Sequence, residues 1–163
     1  MMAWGFRVDK AKALITVRVS NMNGEQGLFA INNQRRLWEL GYLVENAFDV
    51  QYGCEDTVLE LLRGTTAFHW LERRMPLQSL GVTDGSHLSF VLRSLDKPEA
   101  FDDVEQYLWT LHMKALPTQT IKDKAFDFCC RGLISMDVAI NVIEAICMER
   151  FTDKRGDLLV DVV

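Results

Sequence analysis

The chain has 163 residues, 48% of them apolar and 25% charged, which suits one globular domain or two small ones. A net charge of −5 and a pI near 5.2 argue against a nucleic-acid binder that works through a broad basic surface. No uninterrupted apolar run reaches the roughly eighteen residues of a membrane-spanning helix, so no membrane insertion is expected. Met1 to Lys12 carry no apolar core of signal-peptide length. The cysteines Cys54, Cys129, Cys130 and Cys147 show no metal-ligand spacing, so neither a metal nor a cofactor is expected. Reduced, buried thiols then suit the cytoplasm or another reducing intracellular compartment.

Along the chain, Trp4 to Val8 read as a short strand, and Leu14 to Ser20 alternate with Ile15, Val17 and Val19 on one side. Asn21-Met22-Asn23-Gly24 is turn chemistry, because Asn and Gly tolerate positive φ. Glu25 to Glu45 read as an insertion holding a short helix over Gln34 to Leu40, capped by Asn32 or Asn33 and stopped by Gly41. Asn46 to Tyr52 alternate as a second strand. Thr57 and Glu60 have the spacing of a capping box, which predicts a helix carrying Val58, Leu61 and Leu62 and stopped at Gly64.

Ala67 to Glu72 predict a further strand with Phe68 and Trp70 facing inward, leaving His69 and Leu71 outward. Pro76 to Val82 form a compact turn with apolar pegs, and Asp84-Gly85 a tight turn. Leu88, Phe90 and Leu92 alternate with Ser89, Val91 and Arg93 in a last strand.

After a linker at Ser94 to Pro98 the period becomes helical. Val104, Leu108, Leu111 and Ala115 share a stripe behind acidic Asp102, Asp103 and Glu105, and Pro117 follows the end. A second helix starts near Thr118 or Thr120 and stops at Arg131-Gly132, with Ile121, Ala125, Phe128 and Cys129 inside. Ser135 caps a third, whose run from Val138 to Met148, including Ile140 and Ile143, leaves only Asp137, Asn141 and Glu144 as a polar stripe. Such a helix is expected at the centre of a core or against a partner. The apolar tail around Leu159 and Val160 is strand-like and suited to pairing with a sheet edge.

Three local patterns resemble the ubiquitin-like β-grasp family: the Asn23-Gly24 turn, the Asp56-Thr57-Val58 helix start, and Pro76 to Val82 followed by Leu88-Ser89-Phe90-Val91-Leu92-Arg93. The resemblance spans about half the chain. It implies an α+β fold: a ubiquitin-like β-grasp domain over 14–94 with an insertion at 24–45, behind an N-terminal segment at 1–13. A helical subdomain of about three helices at 99–151 and a tail at 152–163 complete the organisation. A conjugated family member needs a Gly-Gly terminus; here Arg93 is followed by Ser94-Leu95, so an unconjugated domain is implied.

Family members commonly bind partners through the outer sheet face, which by this resemblance carries His69, Leu71, Ser89, Val91 and Arg93. Either that face forms an exposed apolar patch, or the insertion or the C-terminal helices cover it. The expected function is a non-enzymatic protein-interaction module, an adaptor or subunit of a larger complex or homo-oligomer. Ile140, Ile143, Leu159 and Val160 would add assembly contacts, with no nucleic acid involved. A ubiquitin- or proteasome-pathway receptor or shuttle is the near alternative. A small thiol-dependent enzyme using Cys54 is the distant one, since a thiol at a helix start is a better nucleophile.

Overall fold

A computed structural model describes residues 13–48, 57–95, 98 and 101–153. They fall into two compact units, a sheet with one helix and a group of three helices.

In the sheet unit, alternation makes the first strand. β1 (Leu14–Ser20) buries Ile15, Val17 and Val19 and turns Leu14, Thr16 and Arg18 outward. Its turn is closed by the Asn21 side chain, whose Oδ1 accepts the N–H groups of Asn23 at 3.0 Å and Glu25 at 2.9 Å. Gly24 takes φ +86°, a conformation that a Cβ would strain. β2 (Gln26–Asn32) returns antiparallel, setting Val17 opposite Phe29 and Ile15 opposite Ile31.

α1 (Leu37–Ala47) follows and buries Leu37, Leu40, Leu43 and Val44 in the same core as those strands. Its first turn is closed by Glu39, whose carboxylate accepts the Arg36 N–H at 3.1 Å and pairs with the Arg35 guanidinium at 3.1 Å. β3 (Thr57–Arg63) and β4 (Thr66–Ala67) form a hairpin around Gly64, at φ +63°. Two 3-10 turns, Glu72–Arg74 and Leu77–Leu80, lead to β5 (His87–Ser94); the second plugs the core with Leu77 and Leu80.

β5 runs parallel to β1, placing His87 beside Arg18 and Leu88 beside Val19. The five strands lie in the order β2-β1-β5-β3-β4. Hairpin, helix, hairpin and a last strand inserted beside the first make a mixed sheet grasping one helix, the β-grasp arrangement.

Several expectations are corrected. Residues 24–45 are no insertion: they hold β2 and most of α1, the helix the sheet grasps. Gly41 does not stop that helix but lies within it, close to Leu59 and Leu61. Asn32 spends its side chain on the Gln34 N–H in the preceding turn, so neither it nor Asn33 is the cap; Arg36 holds that position.

The helix expected from Thr57 is β3. Leu59 and Leu61 enter the core while Glu60 and Leu62 point to the other face, a period of two that four-residue helical spacing had masked. Asn46 and Ala47 end α1 rather than begin a strand, and the rest of that expected strand from 49 lies outside the described residues. The strand expected over Ala67 to Glu72 shrinks to Thr66–Ala67, because Phe68 drops into the core and the chain then coils. The segment Trp4 to Val8, Cys54 and the tail with Leu159 and Val160 also lie outside the described residues.

The helical unit comprises α2 (Phe101–Met113), α3 (Thr118–Cys130) and α4 (Met136–Asp153). Ile121, Ala125 and Phe128 of α3 are buried, and Phe128 meets the Tyr107 ring edge-on at 5.5 Å between centroids. The Ser135 hydroxyl accepts the Val138 N–H at 3.3 Å, closing the start of α4. The sequence left α4 either at the centre of a core or against a partner; every residue from Tyr107 to Lys114 in α2 and its end is buried instead. α4 buries Ala139, Val142 and Ile146 and keeps a second apolar stripe in the open.

Candidate functional site

The outer face of the sheet is set by the parity of β5. Leu88 and Phe90 point into the core, so Ser89, Val91 and Arg93 point outward; the first two are half-buried and Arg93 is exposed. This agrees with the placement expected for those three. His69 and Leu71 do not join them on a strand: both are exposed in the loop after β4, ahead of the Glu72–Arg74 turn.

Two other residues occupy that face. Glu60 on β3 points outward beside β5, and its Oε2 receives the Arg93 Nη2 at 2.7 Å and the Arg73 Nη2 at 3.5 Å. The Glu60 side chain is only 9% exposed, against 50% for Arg93. Burial pushes the Arg73 guanidinium below its ordinary value; the Glu60 carboxylate works against that shift and the Arg93 charge adds to it. A carboxylate shared by two cations therefore lies on this face, held to β5 at Arg93, two residues along from Val91. It gives the face a polar, directional element that a purely apolar patch lacks.

Sequence reasoning missed both Glu60 and Arg73. The signal was a lone carboxylate in the apolar run Val58-Leu59-Glu60-Leu61-Leu62, which demands a cation once buried. A third polar pair joins β1 to β5 near the start of the latter: Ser20 Oγ and His87 Nε2 lie 2.6 Å apart. Beside the first turn, Met22, Phe48, Phe90, Val91 and Leu92 line a shallow cleft.

The helical unit carries the second candidate surface. Phe126 of α3 and Met136, Ile140 and Ile143 of α4 line a groove that continues along α4 past Met148 and Phe151. Ile140 is 46% exposed and Phe151 83%. The expected assembly residues Ile140 and Ile143 thus lie together on one face. Among the described residues, no group of three His, Cys, Asp or Glu is placed to hold a metal ion, and no helix is long and apolar enough to cross a membrane.

No protein-family model and no curated protein matches the chain. Solved structures do. The ubiquitin-like domain of Dsk2 from Plasmodium falciparum is 16% identical, at a TM-score of 0.41 over 50% of this chain and 100% of that one. A designed protein based on ubiquitin is 16% identical, at 0.42 over 53% and 96%. A protein described as a molecular mimic of SUMO that promotes DNA repair is 15% identical, at 0.40 over 48% and 90%. Among the described residues, the strand order and the single grasped helix give the first half of the chain the β-grasp arrangement, and three helices follow it.

Proposed function

We propose that the chain is a non-enzymatic interaction module, an adaptor or complex subunit working in a reducing intracellular compartment. In this reading the unconjugated β-grasp domain over 14–94 offers one surface and the helices over 99–151 another. The carrying observation is the uncovered apolar stripe of α4 beside Phe126: large side chains in a contiguous exposed row mark a protein-binding surface. The sheet face with Ser89, Val91 and Arg93 supports it with a smaller apolar centre framed by charge. His69 and Leu71 stand apart as exposed loop residues, and Leu159 and Val160 would extend the assembly contacts from the tail.

The test is affinity purification with the full chain, its Ile140→Asp variant and its Val91→Glu variant. Ile140→Asp is expected to lose proteins that the parent chain recovers, and Val91→Glu to lose those held by the sheet. If both variants recover the parent's full set, the reading is wrong. A pathway receptor or shuttle is favoured only by the outward Val91. It requires that ubiquitin or proteasome subunits be among the proteins lost with Val91→Glu. No structural observation favours thiol chemistry at Cys54.

A further inference from the structure

We draw no further inference here: the strongest candidate, the apolar face of α4 with Met136, Ile140, Met148 and Phe151 exposed, carries nothing because nothing in the structure shows what covers it.

Discussion

Arg93 reaches across the outer face of the sheet to Glu60, Nη2 to Oε2 at 2.7 Å, and Arg73 approaches the same oxygen at 3.5 Å. The two cations are not equivalent. Arg93 is half exposed and screened by water, whereas burial already disfavours the Arg73 charge, so Arg73 depends on Glu60 far more.

Removing the carboxylate leaves a buried guanidinium facing a like charge. Glu60→Ala is expected to lower the unfolding free energy by about 3 kcal/mol, measured by urea denaturation. Arg93→Ala should cost about 1 kcal/mol or less, because an exposed partner contributes little and its repulsion of Arg73 goes with it. Equal losses from the two variants would show that Glu60 does not discriminate between its partners.

Gly41 tests the reassigned helix. It sits inside α1, and a Cβ there would lie 3.9 Å from Leu61 and 4.0 Å from Leu59, ordinary van der Waals contact. Gly41→Ala should therefore stabilise the fold by about 0.5–1 kcal/mol, through the lost freedom of the unfolded chain. Gly81 is the control: at φ +76° it ends the Leu77–Leu80 turn, and Gly81→Ala should cost about 1 kcal/mol. Thermal unfolding of the two variants should shift in opposite directions.

The contrast between Gly41 and Gly81 also shows what the sequence made legible. β1, β5 and the turns at Asn23-Gly24, Asp84-Gly85 and Pro76 to Val82 announce themselves, because strict alternation and positive-φ residues are local signals. α1 does not. It begins at Arg36 with no Ser, Thr or Asp cap and carries a glycine inside, so its start and stop signals mislead, and it is held by packing on the sheet and by Glu39 closing its first turn. β3 fails for a different reason: Thr57 and Glu60 satisfy a capping pattern that the fold does not use. At the candidate site, the outward parity of Ser89, Val91 and Arg93 was readable from β5 alone. The Glu60–Arg73 pairing was not, because it joins a strand to a turn beyond a hairpin. For α4 the apolar content was plain, but which of its two apolar stripes stays open is decided by the packing of α2 and α3.

Arg150 provides the last prediction. Its Nε donates to His112 Nδ1 at 2.9 Å and its Nη1 to the Thr118 hydroxyl at 2.9 Å, while Nη2 lies 3.5 Å from the His112 carbonyl oxygen. One side chain of α4 thus ties down the end of α2 and the start of α3. A guanidinium only donates, so the His112 Nδ1 must be the bare nitrogen and the ring proton sits on Nε2, which faces Glu149 Oε1 at 3.6 Å. Nitrogen NMR of the imidazole should report that tautomer. Arg150→Met keeps the apolar stem but removes every donor; with His112 fully buried, the loss should be about 2 kcal/mol. Thr118→Val removes a single acceptor at a half-buried position and should cost about 1 kcal/mol. If Arg150→Met unfolds at the same denaturant concentration as the parent, or if the proton is found on Nδ1, Arg150 does not clamp the three helices.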